Sequence, residues 1–293
     1  MRIAKYVTDA QSTPAIGLVD GGRIRPLASG PSALTELLHS PDVEKAVRDL
    51  LKGQGAADLP LDSVRLLPPI DAQEVWGAGV TYERSKVARQ EESEQGGSFY
   101  DLVYRAPRPE LFFKATPSRV VGPGVPIRVR RDTRWCVPEP ELALVISPSL
   151  QLVGFTVGDD VSARDIEGEN PLYLPQAKVY DACCGLGPVI TLAPAFPPIG
   201  SVTIRLTIER AGRTVFDGAT PLARMARSFE ELIGWLGIDN VFPDGVVLLT
   251  GTGVVPPDDF SLQAGDVVSI EIDGIGRLTN PVVQAPQETA GRK

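Results

Sequence analysis

Proline and glycine punctuate this chain from end to end, 27 and 29 times in 293 residues. Proline removes a backbone donor and fixes φ, and glycine favours turns. A chain so punctuated is built from short strands joined by turns rather than from long helices. The intervening segments agree. Leu111–Ala115, Val125–Val129, Glu141–Ile146, Val153–Val157, Val189–Leu192, Val202–Ile208, Val246–Leu249, Val267–Ile272 and Leu278–Val283 read as strands, most of them by β-branched content and flanking Gly or Pro. Helices are few. Val43, Val47, Leu50 and Leu51 fall on one helical face, with Ser40 expected as its cap and Pro41 as its first residue. Ser228-Phe229-Glu230-Glu231 is a capping box opening a helix with Leu232, Ile233 and Trp235. Thr81–Glu94 reads as a polar, solvated helix, and the tail after Pro286 as frayed. Residues 1–70 read as a small N-terminal lobe with strands near Ile3–Val7 and Ile16–Val19, and residues 71–288 as the larger, mainly β unit.

Charge and residue usage exclude several kinds of function. The formal net charge of -8 disfavours nucleic acid and anionic membrane as partners. No apolar run approaches the ~20 residues that span a bilayer. The start, Met1-Arg2-Ile3-Ala4-Lys5-Tyr6, lacks the apolar region of a signal peptide. Three cysteines, two of them adjacent (Cys136, Cys183, Cys184), make no disulfide framework, so a reducing cytoplasm is the expected compartment. The single histidine, His39, sits in a helix-start context and is expected at the surface. Chemistry built on a His base, a Ser/His pair or a His-rich zinc site is therefore unexpected. Carboxylates, lysine, hydroxyls or a hard metal must do the work.

The most informative segment is Pro138-Glu139-Pro140-Glu141, which runs straight into Leu142-Ala143-Leu144-Val145-Ile146. Carboxylates at i and i+2 of a strand share a face. Their repulsion grows on burial, which calls for a cation. A second acidic cluster, Gly158-Asp159-Asp160-Val161-Ser162-Ala163-Arg164-Asp165, follows a strand. Convergence of the two would make an all-oxygen site suited to Mg²⁺, or equally Mn²⁺. Spacing alone also admits a bland reading, in which the glutamates are exposed strand residues and the aspartates a turn.

Several motifs in order distinguish these readings. Glu139-Pro140-Glu141, Asp160-Val161-Ser162-Ala163-Arg164-Asp165, Lys178, Leu186-Gly187-Pro188, Thr250-Gly251-Thr252-Gly253 and Gly265-Asp266-Val267-Val268 together resemble the catalytic domain of the fumarylacetoacetate hydrolase superfamily, over residues 72–283. The resemblance implies an α+β, mainly β fold. It would be a mixed β-sandwich or roll catalytic domain carrying a small N-terminal α/β domain. It implies Glu139, Glu141 and Asp160 as metal ligands, Lys178 beside the substrate, and Thr252 in the loop that meets the substrate's carboxylate end. It also implies a homodimer or homotetramer. Asp165 is expected to be structural, pairing with Arg164 or capping backbone.

Two further segments, Arg108–Pro117 and Glu167–Lys178, resemble one branch of that superfamily. That branch removes water from 2-keto-3-deoxy-D-arabinonate (equally 2-keto-3-deoxy-D-xylonate), giving 2,5-dioxopentanoate. Hydrolytic members carry a His near a Gly-rich strand end, whereas this chain reads Gly77-Ala78-Gly79-Val80-Thr81-Tyr82-Glu83-Arg84-Ser85. The missing base argues for a lyase. Glu110 and Lys178 are the candidate proton-transfer groups, with their roles unassigned, and Lys114 is a candidate for the substrate carboxylate. Two alternatives stay open: a hydrolase, decarboxylase or isomerase of an acylpyruvate-like 2-keto acid, or a non-catalytic oligomeric binding module.

Overall fold

The structure, a computed structural model, describes residues 1–53, 57–82, 103–104 and 106–285. The polar helix expected over 81–94 lies outside these residues but for Thr81 and Tyr82, as does the tail after Pro286. Three strands open the chain: β1 (Arg2–Thr8), β2 (Gln11–Asp20) and β3 (Arg23–Ser29). Helices α1 (Ala33–Leu38) and α2 (Val43–Gly53) follow. Val43 and Val47 of α2 are buried, and Leu50 and Leu51 pack half-buried on the same cluster, as the periodicity requires. The cap differs from expectation. Asp42 Oδ1 accepts the Lys45 N–H at 2.9 Å, so α2 starts two residues after Pro41. Ser40 Oγ instead accepts the Asp42 N–H, at 3.3 Å. A carboxylate placed one residue before the helix is the better acceptor for the orphan N3 donor. His39 is exposed, as expected.

Short strands β4 (Leu59–Pro60) and β5 (Arg65–Leu67) lead to β6 (Glu74–Gly79) and β7 (Glu110–Ala115). Then come β8 (Val120–Val121), β9 (Ile127–Val129), β10 (Cys136–Val137), β11 (Pro140–Ile146), β12 (Leu152–Asp160) and β13 (Ser162–Ala163). Helices α3 (Arg164–Glu169) and α4 (Leu174–Lys178) precede β14 (Cys184–Leu192), β15 (Thr203–Arg210) and β16 (Arg213–Pro221). Helix α5 (Phe229–Leu236), β17 (Val246–Leu249), β18 (Val267–Ile272) and β19 (Gly276–Gln284) complete the chain. Ser228 Oγ caps α5 through the Glu231 N–H at 3.1 Å, as the capping box predicts. Strands β3, β4, β5, β6, β8, β10, β13 and β16 are additions to the set expected from sequence. Strand β16 edges its sheet with mostly exposed positions, so it carries no apolar signal to read.

A large sheet runs β4-β3-β2-β1-β14-β12-β11-β17-β6-β7, with β5 on β1 and β8 on β14. A second sheet runs β16-β15-β18-β19-β9. The main core lies between them, where Leu142, Leu144 and Val157 meet Ile204, Leu206 and Ile270. The other face of β11 is also covered, by a cluster that holds Ala143 and a second that holds Val145. That explains the unbroken apolar run: a strand buried on both faces needs no polar alternation. The N-terminal strands do not form a sheet of their own. Arg2↔Thr191 and Ile3↔Ile190 pair β1 with β14, which covers an edge that would otherwise stay open.

Candidate metal centre

The three carboxylates converge through strand register. Glu139 and Asp160 exchange both backbone hydrogen bonds, Glu139 N–H to Asp160 O at 3.2 Å and Asp160 N–H to Glu139 O at 3.0 Å. Directly opposed residues share a face, and Glu141, two residues on, shares it too. Oxygen atoms of Glu139, Glu141 and Asp160 lie within 4.8 Å of one another, and all three residues are buried. Asp159, between two such positions, points to the opposite face. Burial and its neighbour Asp160 push its carboxyl up to about 8.

Cations and backbone donors surround the cluster. Lys178 Nζ donates to Glu139 Oε2 at 2.8 Å, Asp160 Oδ2 at 2.9 Å and Ser162 Oγ at 2.6 Å. Arg164 Nη2 donates to Glu139 Oε1 at 2.8 Å. Gly251 N–H donates to Glu141 Oε2 at 2.6 Å. At φ 87° Gly251 holds a left-handed turn, and a Cβ there would collide with Thr81 Oγ1. Burial, Asp160 and Glu139 together hold the Glu141 carboxyl well above the usual range. A buried acid under that repulsion is poised for a further positive charge. The donor set is all carboxylate oxygen, with no His or Cys in the cluster. It fits a hard divalent ion such as Mg²⁺ or Mn²⁺.

The cluster opens into a cavity lined by Ala78, Gly79, Val80, Phe112, Gly251 and Thr252. Thr252 is buried there, and its hydroxyl donates to Val254 O at 2.9 Å. Val80 turns the chain out of β6 at φ 54°. For a β-branched residue this conformation costs about 1–3 kcal/mol, a strain that gathers at functional sites. Glu110 starts β7 opposite Gly79, on the strand that borders the cavity. Asp165 accepts from Thr133 Oγ1 and from the Arg134 N–H, the latter at 2.8 Å, and so ties down a turn. Lys114 lies deeper than a carboxylate-binding lysine should. It is fully buried, and its ammonium meets Asp160 Oδ1 at 2.5 Å, Val161 O at 3.1 Å and Lys178 O at 2.6 Å. With three acceptors engaged, its geometry suits bracing Asp160 rather than gripping a substrate.

Known proteins agree with this architecture. Residues 74–283 match the family model described as fumarylacetoacetate (FAA) hydrolase C-terminal, and residues 1–69 match one described as Rv2993c-like, N-terminal. The chain belongs to the fumarylacetoacetate hydrolase family. Among its relatives is a probable 2-keto-3-deoxyxylonate dehydratase of Haloferax volcanii, 52% identical over 214 residues, 73% of each chain. Another is a 2-dehydro-3-deoxy-D-arabinonate dehydratase of Saccharolobus solfataricus, 47% identical over 76% of each chain. A solved structure of 2-keto-3-deoxy-D-arabinonate dehydratase, complexed with magnesium and 2,5-dioxopentanoate, is 39% identical. It covers 98% of this chain and 100% of its own, with a TM-score of 0.80.

Within this fumarylacetoacetate hydrolase domain, sequence reasoning missed two contributors. Of the two roles expected for Asp165, pairing with Arg164 or capping backbone, it takes the second, and the Arg164 guanidinium turns to Glu139. Phe112 lines the cavity and lies 5.5 Å from Lys178 Nζ, a cation–π distance. An Arg four residues after Asp160 was a visible signal for the first. The second reads from sequence only as a strand residue.

Proposed function

We propose that this protein is a Mg²⁺-dependent dehydratase that converts 2-keto-3-deoxy-D-arabinonate (equally 2-keto-3-deoxy-D-xylonate) to 2,5-dioxopentanoate and water. The observation that carries the reading is the buried cluster of Glu139, Glu141 and Asp160 in a chain about half identical to dehydratases of these acids. Glu139, Glu141 and Asp160 would hold the ion. When bound, a hard divalent ion supplies Lewis-acid polarisation of the keto acid, which acidifies the C3 protons.

The chain's own groups do the rest. Lys178 donates to three acceptors and stands beside the ligand cluster, where it offsets negative charge developing on the enolate. Glu110 takes the C3 proton and returns a proton to the departing C4 hydroxyl. The C4–O bond breaks and water leaves, so C3 and C4 become doubly bonded. Loss of a C5 proton and protonation at C3 then give a C4–C5 enol, which becomes the C5 aldehyde. One water is lost and no electrons change hands. Thr252 orients the substrate's carboxylate end. Lys114 has its three acceptors inside the protein, and its part is to brace the site.

The reading carries a cytoplasmic homodimer or homotetramer. Support for assembly comes from family resemblance and from the exposure of Leu172, Ile238 and Val241; sedimentation gives the state. The reaction is tested by incubating the protein and Mg²⁺ with 2-keto-3-deoxypentonate and assaying two products. Stoichiometric 2,5-dioxopentanoate without pyruvate is expected. Pyruvate release, or an unconsumed substrate, overturns the assignment.

A further inference from the structure

Glu110 and Gly79 are cross-strand partners at the rim of the cavity, as are Phe112 and Gly77. Facing side chains in such pairs lie side by side when both have a Cβ. Here one partner of each pair has none, and the other folds across it. A Cβ built on Gly79 would lie within 2.6 Å of Glu110 Cδ, and closer still to its Oε2. Glu110 Oε2 is shielded from solvent, although Glu110 as a whole is half-buried. A Cβ on Gly77 would lie 2.5 Å from Phe112 Cζ. The two glycines of Gly77-Ala78-Gly79 thus form a shallow groove along β6 in which Glu110 and Phe112 lie flat. Gly79 itself lines the cavity together with Glu139, Glu141 and Asp160.

We propose that Gly79 is a positioning residue for Glu110: the missing side chain is what lets the Glu110 carboxylate rest at the cavity wall. The proposal rests on the reading of Glu110 as the proton-transfer group. The backbone of Gly79 is not in the left-handed region, so its conformation does not require glycine. What requires glycine is the space taken by the carboxylate. The atoms that a Cβ would meet are the far end of a flexible side chain, which can shift more readily than backbone. An added methyl therefore displaces it while leaving the sheet in place. Proton transfer demands a donor and acceptor within hydrogen-bond reach, and a misplacement of about 1 Å costs on the order of 10²-fold in rate.

The test is a double-mutant cycle of Gly79→Ala and Glu110→Ala, read by kcat, KM, Mn²⁺ affinity and melting temperature. Gly79→Ala should lower kcat roughly 100-fold and leave KM and Mn²⁺ affinity unchanged. In the Glu110→Ala background it should lower kcat no further, because its target is gone. Wild-type kcat in Gly79→Ala, or an equal loss in both backgrounds, overturns the proposal. If Gly79→Ala alone does not fold, the double variant decides. Recovery of folding there supports a clash with Glu110, and failure assigns Gly79 to the backbone instead. Should Glu110→Ala keep full turnover, the proton-transfer reading falls separately. The crystal structure of Gly79→Ala then tells whether the carboxylate moved, and an unmoved carboxylate overturns the proposal.

Discussion

Glu139, Glu141 and Asp160 are buried together, and burial, Asp160 and Glu139 raise the cost of ionising Glu141. Removing one therefore alters the whole site. Glu139→Gln and Asp160→Asn should each abolish turnover with the circular dichroism spectrum unchanged. Mn²⁺ affinity should fall by at least the ~10–100-fold that loss of an outer-shell partner costs. Wild-type activity of either variant in added Mg²⁺ would show that the ligands lie elsewhere. The cysteines make a second residue-scale case. All three are free and buried, and burial pushes the Cys136 thiol up to about 12 and that of Cys184 well above the usual range. A thiol reagent at neutral pH should find none of the three in the folded protein and all three after denaturation. Rapid native labelling would contradict this.

Two elements meet to hold the approach to β7. Arg227, just before α5, donates to Val103 O at 3.0 Å and Ala106 O at 2.7 Å, and pairs with Glu231 of α5. Arg108 stacks over the Trp235 ring of α5 at 4.4 Å. The segment entering β7 is thus fastened to one helix immediately before Glu110. Arg227→Met would leave partly buried carbonyls without their donor, which costs up to about 1–3 kcal/mol. Chemical denaturation should show that loss, and kcat should fall more than Mn²⁺ affinity does. An equal fall in both would mean the strap acts on the ligand cluster instead. The capping box of α5 was readable because its hydrogen bond spans three residues. The strap was not, since Arg227 and Ala106 are 121 positions apart.

For the molecule as a whole, the pairing of β11 with β12 inside the large sheet creates the site and also a reserve of unfavourable energy. Three buried acids of one cluster come from two strands held in register by both sheet faces. A ligand that binds only the folded state stabilises it by mass action, about 2.7 kcal/mol at a hundredfold excess over its Kd. Saturating Mg²⁺ should therefore raise the melting temperature by roughly 5 °C in a chain of this size. Chelation should reverse the rise, and Glu139→Gln should lack it. An unchanged melting curve with and without the ion would count against the cluster as a metal site.

The central strands, the α5 cap and the two acidic segments were legible in the sequence, because strand period, capping and β-branched content are local. The neighbourhood of the metal site was legible only through several motifs taken in order. Spacing alone could not tell a buried cluster from two solvated turns. Tertiary structure decided that Glu139 faces Asp160, that Arg164 serves Glu139, that Lys114 is spent inside the protein, and that the N-terminal strands extend the large sheet. Each of these depends on which strand lies beside which, and hydrogen-bonded register between distant segments leaves no trace in either segment alone.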